Sequence, residues 1–234
     1  MEDKEKRLLE SLVCYHSNNK TRMGATKDGG YVVVNGYSYD LLIGCGAADD
    51  ISFEVEFLNL FPNIKGYVFD GTVENAPMSH KNLSFVKKNI SNSNSENTTD
   101  LKYLINSHNS IFLKMDIDNS EWSWFDCLSN EHLKNISQIC IEWHFPLNPH
   151  KVKVLERLSS LFYLFHIHGN NYKPCENVLG VEVPKVFECT YVRKDLLGSK
   201  PSLNKITFPT DLDFPNNLNK PDILLNTYPY VYDQ

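Results

Sequence analysis

Leu41-Leu42-Ile43-Gly44-Cys45-Gly46-Ala47-Ala48-Asp49-Asp50 reads as a buried strand that breaks into a glycine turn and then starts a helix. The helix continues the pattern: Phe53, Phe57, Leu60 and Phe61 fall on one apolar face, and Asp49 or Asp50 stands where an N-terminal cap belongs. Strand, turn and helix in that order open a β-α-β unit. The unit closes with a second apolar run, 67–69, which ends on Asp70.

The same alternation runs on through the chain. Further strand candidates lie at 83–86, 111–117, 138–143, 163–167 and 186–192, and the first spans 40–43. Asn148-Pro149 begins another helix by cap and first-turn proline, with Val152, Leu155 and Leu158 facing inward. Residues 169–185 contain Gly, Asn and Pro and no helical face, so the last strand has no crossover helix and should run antiparallel beside the sixth. The expected fold is therefore α/β: a Rossmann-like, seven-stranded, mostly parallel sheet with an antiparallel last strand and helices on both faces.

A chain of 234 residues suits a single domain. Residues 1–36 are expected to form a cover: a helix over 4–15, then a turn at Asp28-Gly29-Gly30 feeding a strand at Tyr31-Val32-Val33-Val34. Residues 37–195 form the core, within which the Asn- and Ser-rich stretch 89–99 reads as an exposed loop. Residues 196–234 carry five prolines and end in Tyr228-Pro-Tyr230-Val-Tyr232, which suggests an irregular tail with aromatic anchors.

A net charge of -6 gives no basic field to neutralise a phosphate backbone, which argues against a nucleic-acid partner. No apolar stretch is long enough for a membrane span, and the charged amino terminus is unlike a signal core, so the expected location is cytoplasmic. Six scattered cysteines without a C-x-x-C pair signal neither zinc nor a disulfide framework. The Asn-x-Ser/Thr sequons at Asn19, Asn82, Asn89, Asn97 and Asn135 carry no weight without a secretory signal.

The glycine turn is the first candidate site. Without β-carbons at Gly44 and Gly46 a cofactor can lie against the backbone at the carboxyl end of the first strand, although a tight turn alone would also need them. Asp70, at the end of the second strand, is placed to accept both hydroxyls of a ribose. A dinucleotide site would carry a third glycine at position 49. Asp49 stands there and would repel a pyrophosphate at the helix start, which favours a cofactor without phosphates.

The strings Arg22-x-Gly24, Asp28-Gly-Gly-Tyr31-Val32, Ile43-Gly-Cys-Gly46, Asp50-Ile-Ser-Phe-Glu54, Phe69-Asp70 and Leu113-Lys-Met-Asp-Ile-Asp118-Asn-Ser-Glu121-Trp122 resemble the FkbM-like methyltransferase families over residues 20–195. Those families are largely O-methyltransferases that use S-adenosylmethionine, often on sugar hydroxyls. The resemblance implies that Gly44, Cys45 and Gly46 contact the cofactor, that Asp70 holds its ribose, that Asp28 and Tyr31 line its methionine end, and that Asp116 lies near the reacting centre. Members usually read Asp-Ile-Glu-Gly where this chain has Asp116-Ile-Asp118-Asn119.

Three strand ends hold the remaining candidates. If the fourth strand stays regular, Asp116 and Asp118 share a face, though Asp118 reads better as a solvated helix cap. Glu142 and His144 pair at the fifth end, and His166 and His168 at the sixth, where His166 reads as packing. Two chemistries are open: His144 as general base oriented by Glu142 or Asp116, or a divalent metal ion held by Asp116, Glu142 and His168. Trp122 and Trp124 read as packing or as a wall for a sugar ring, and Arg22 as an anion or ion-pair partner. The expected activity is methyl transfer from S-adenosylmethionine to a hydroxyl of a small-molecule or glycan acceptor. The alternatives are a non-sugar acceptor or a methyltransferase-like binding module without turnover.

Overall fold

The central strand Leu41–Cys45 is buried at all five positions, because it is flanked by strands on both sides and covered on both faces. The computed structural model describes residues 2–232. In chain order its elements are α1 (Glu2–Ser11), β1 (Lys20–Met23), β2 (Tyr31–Val34), β3 (Leu41–Cys45), α2 (Ser52–Leu60), β4 (Lys65–Phe69), β5 (Leu83–Val86), β6 (Asn89–Ile90), β7 (Thr98–Thr99), α3 (Lys102–Ser107), β8 (Ile111–Met115), α4 (Glu121–Cys127), α5 (Asn130–Leu133), β9 (Ile136–His144), α6 (Pro149–Leu161), β10 (Phe162–Gly169), β11 (Cys175–Val178), β12 (Val181–Pro184) and β13 (Val186–Arg193).

Seven of these strands form one sheet in the order β10-β13-β9-β8-β3-β4-β5. They correspond to the seven strand candidates. The strands from β9 to β5 run parallel, and β13 is antiparallel to both β9 and β10. The connection before β13 holds the hairpin β11–β12, which needs no crossover.

Alternation along the strands splits the core in two. Leu41, Ile43 and Cys45 face the larger cluster with Leu8 and Leu9 of α1, Trp124 and Phe125 of α4 and Leu155 of α6. Leu42 and Phe112 face the other side, where Phe53, Phe57 and Leu58 of α2 pack with Met23, Tyr31 and Val33 of the β1–β2 hairpin. That hairpin is bolted to the sheet by side chains: Gln138 bonds both the N–H and the carbonyl of Val34, and the Thr190 hydroxyl bonds the Val32 carbonyl.

Several boundaries differ from expectation. The first helix ends at Ser11 rather than reaching residue 15, because the N–H groups of Cys14 and Tyr15 bond the carbonyls of Pro229 and Leu164. The fourth strand stops at Met115 rather than 117; Asp118 and Asn119 take φ of 48° and 75°, a left-handed conformation outside the strand. Within 89–99 the short pair β6–β7 buries Ile90 and Thr99, while 92–97 are exposed as expected. α2 has no side-chain bond at its cap, Ile51, but the Asp50 carboxylate accepts the N–H of Ser52 at 2.8 Å. Asn148 caps α6 as expected, accepting from the N–H of His150.

Beyond residue 196 the described chain is irregular and anchored by buried Phe208, Leu225, Tyr230 and Val231, whereas Tyr228 is exposed. Polar clamps fix its middle. His166 Nε2 meets Asp213 at 2.7 Å, His168 Nε2 meets Asp222 at 3.0 Å, and the Asn171 amide donates to the carbonyls of Asn217, Lys220 and Pro221. Among the described residues no helix is long and apolar enough to cross a membrane. All six cysteines are free thiols.

Candidate functional site

Strand register lines up the candidate residues in a single row. Cys45 pairs with Phe69 on one side and Met115 on the other, and Met115 pairs with Ile141, so Gly46, Asp70, Asp116 and Glu142 all stand one step beyond, at the carboxyl ends of the parallel strands. On the next two strands Glu142 pairs with Glu188, and Glu188 with His168. Above this row lies a cavity of about 1080 Å³ whose lining includes Gly46, Ala47, Ala48, Asp70, Asp116 and Glu142. It opens where the chain's path reverses direction across the sheet, between β3 and β8, the usual ligand position in open α/β sheets.

The glycine turn has two different reasons for its glycines. A Cβ on Gly46, whose φ is +87°, would stand 1.9 Å from the carbonyl oxygen of Asp116. A Cβ on Gly44 would stand 2.6 Å from Glu54 Oε1. Gly44 and Cys45 do not line the cavity: Cys45 is fully buried, and the bareness of Gly44 makes room for the Glu54 carboxylate. Of the three residues expected against a cofactor, the structure brings only Gly46 to the cavity.

Asp70 is placed as expected, but its oxygens are engaged. Oδ2 accepts the N–H groups of Ala47 and Ala48 at 2.9 and 3.0 Å, and Oδ1 accepts the N–H and hydroxyl of Thr72 at 2.7 and 2.6 Å. The carboxylate thus ties the turn after β3 to the turn after β4. Burial works against its charge, but the bonds from Thr72, Ala48 and Ala47 prevail and hold it below the ordinary carboxylate range. Asp70→Asn is expected to cost about 1–3 kcal/mol at neutral pH, since it removes one acceptor and one charge from this set. The depressed carboxyl contributes stability above its unfolded-state value and loses it as pH falls through its folded-state value. Denaturation of both proteins from pH 7 to pH 3 should therefore show the gap closing in acid.

Asp116 sits at the centre of the row. Its Oδ2 accepts the hydroxyl proton of buried Tyr31 at 3.1 Å, so Tyr31 reaches the site through Asp116 and does not itself line the cavity. Burial, with Glu142 adding to it, pushes the Asp116 carboxyl up to about 6. Asp118 lies beyond the end of the strand and lines the same cavity. Its side chain is 98% exposed and comes within 3.6 Å of His144 Nε2.

His144 is held by carboxylates at both ring nitrogens: Nδ1 stands 3.1 Å from Glu121 Oε1 and Nε2 stands 3.1 Å from Glu142 Oε1. Burial opposes the charged ring, but these two bonds outweigh it and push its pKa up to about 10. In this geometry both ring nitrogens of His144 face carboxylates, so neither is free to meet an acceptor proton. Glu121, fully buried, also accepts the backbone N–H of His144. Sequence reading passed over it, although an acid in the first turn of a tryptophan-rich helix was a usable signal.

His168 does not join Asp116 and Glu142. Glu188 stands between them in the row, and the His168 ring is bonded to Glu188 at 3.3 Å and to Asp222 at 3.0 Å. The three-residue metal set expected from sequence is therefore not assembled. Glu188 itself was missed, yet it is the lone acid in the apolar run Val186-Phe187-Glu188-Cys189. Asp28 lines the cavity and accepts the amide of Asn216 at 2.9 Å. The other candidates are engaged by the chain's own carbonyls. Arg22 donates to the carbonyls of Ala25, Lys27 and Leu212, and the indole N–H groups of buried Trp122 and Trp124 bond the carbonyls of His144 and Asp100. His166 packs, as expected.

Beneath the row lies a buried ion pair. Lys114 Nζ stands 3.9 Å from Glu54 Oε1 and donates to the Gly46 carbonyl at 3.0 Å. No family model matches the chain, and no curated protein matches it.

Proposed function

We propose that the protein is an S-adenosylmethionine-dependent O-methyltransferase with a Rossmann-like fold, acting on a hydroxyl of a sugar or glycan. The carrying observation is the cavity at the reversal point between β3 and β8: its wall combines the Gly46-Ala47-Ala48 turn with Asp28, Asp49, Asp50, Asp70, Asp116, Asp118 and Glu142 against only Lys27 and Lys114. Such a wall attracts a cation and repels a pyrophosphate, which suits a sulfonium cofactor and disfavours a dinucleotide. Its volume accommodates a nucleoside-sized ligand together with an acceptor.

The resemblance to FkbM-like families adds support at one departure. Asn119 replaces their glycine with φ of 75°, and asparagine is among the few residues that tolerate this conformation.

When bound, the cofactor supplies the methyl group. The chain aligns and deprotonates. Gly46 to Ala48, fixed by Asp70 and Thr72, seat the adenosyl part, with direct ribose contact by Asp70 requiring Thr72 to yield a bond. Asp116, oriented by Tyr31, would take the proton of the acceptor hydroxyl, the bound cofactor supplying the methyl group. His144, charged and clamped by Glu121, holds Glu142 in place beside it.

Calorimetry with S-adenosylmethionine tests the seat, and no binding to the wild-type chain would end the proposal. Asp116→Asn should bind the cofactor within a few-fold of wild type while methyl transfer to a panel of sugars falls at least about 100-fold, the scale of a lost general base. Undiminished turnover in that variant would remove Asp116 from the mechanism.

A further inference from the structure

Glu142 and Glu188 face each other directly on adjacent antiparallel strands, each only 6% exposed. Like charges in that position repel, and burial strengthens the repulsion. Asp28 comes to the same place from the turn before β2, so that one oxygen from each of the three carboxylates lies within 4.8 Å of the others. That spread matches oxygens around one ion with metal–oxygen bonds of about 2.1–2.6 Å.

A second observation is independent of the charges. Asn216, 5% exposed, reaches in from the tail between two of these acids, its Nδ2 donating to Asp28 Oδ1 at 2.9 Å and Glu188 Oε1 at 2.8 Å. Its Oδ1 is buried without any hydrogen-bond partner. A half-turn of the amide exchanges the two atoms and brings the unpartnered oxygen between the carboxylates, an arrangement that a cation there would stabilise in place of the two hydrogen bonds given up.

The carboxylates are also fixed from behind. Asn170 Nδ2 donates to Glu142 Oε2 at 2.7 Å, and His168, itself held by Asp222, stands against Glu188 Oε2. Outer-shell donors of this kind orient ligating oxygens in metal sites.

We infer that Asp28, Glu142 and Glu188, with the Asn216 side-chain oxygen, bind one divalent cation of the hard, oxygen-preferring class: magnesium, calcium or manganese. The site differs from the metal set expected from sequence in every member but Glu142. It lies next to Asp116 in the row, at the end of the cavity away from Asp70, and does not depend on the methyl-donor reading.

The test uses manganese(II) chloride alone, titrated into the full chain without methyl donor, with free manganese followed by electron paramagnetic resonance. Wild type should take up one ion per chain. Asp28→Asn, at an exposed position, and Glu188→Gln should each weaken uptake at least 10-fold, Asn216→Ala should weaken it measurably, and Glu131→Gln on the remote surface should match wild type. No uptake by wild type at millimolar manganese would overturn the inference, as would wild-type affinity in Asp28→Asn. Because S-adenosylmethionine binding is measured separately, loss of one reading leaves the other standing.

Discussion

Gly46→Ala is expected to destabilise the protein by about 2–5 kcal/mol and to abolish binding of the proposed methyl donor. A residue other than glycine at φ of +87° costs about 1–2 kcal/mol, and the new methyl group, 1.9 Å from the Asp116 carbonyl, adds about 1–3 kcal/mol of overpacking because both backbones are held by the sheet. Gly180 supplies the control. It has the same φ of +87° but nothing within 4 Å of an added Cβ, so Gly180→Ala should show the conformational part alone. Urea denaturation of the two variants separates the contributions through their midpoints. Equal losses would mean that the approach of Gly46 to Asp116 is not what the glycine is for.

Lys114→Met should be the most damaging change of charge, costing about 3–5 kcal/mol, because it leaves Glu54 buried with no cation beside it. Neither oxygen of Glu54 has a hydrogen-bond partner, so Lys114 is its compensation. Burial raises the Glu54 carboxyl, and among the opposing influences Lys114 is the largest. A carboxyl raised in the folded state binds its proton more readily folded than unfolded. The variant should therefore gain stability as pH falls, the reverse of the Asp70 effect. Adding Glu54→Leu to Lys114→Met should recover most of the loss, since replacing both members of a buried pair by apolar groups is often nearly neutral. A single variant as stable as wild type at pH 7, or a double variant as unstable as the single, would show that the pair is not coupled.

The two variants probe one construction from opposite sides. Gly44 has no side chain so that Glu54 can sit beneath β3; Glu54 is balanced by Lys114; and Lys114 holds the carbonyl of Gly46, whose backbone touches Asp116. The floor of the cavity is in this way continuous with the core, and a change in either glycine reaches the row of carboxylates above.

Local order was legible without the structure. Apolar runs of the right length, separated by turns and helical faces, placed all seven strands of the sheet, and the helix-free stretch 169–185 fixed the antiparallel direction of the last, because a short connection cannot carry the chain back to start a parallel strand. Gly46, Asp70, Asp116 and Glu142 were found from their positions at turns and strand ends, Asp28 from the family resemblance alone, and all five line one cavity.

What the sequence could not contain was pairing across the sheet. Strand order and register decide that Glu188 separates His168 from Glu142, and that Asn216, from a tail with no regular structure, reaches Asp28. Protonation was equally out of reach, since whether His144 accepts a proton or carries one depends on Glu121 and Glu142 arriving from two different elements. Periodicity reports how each residue sits on its own element, whereas charge and ligation depend on neighbours distant in the chain, and only the packed fold brings those together.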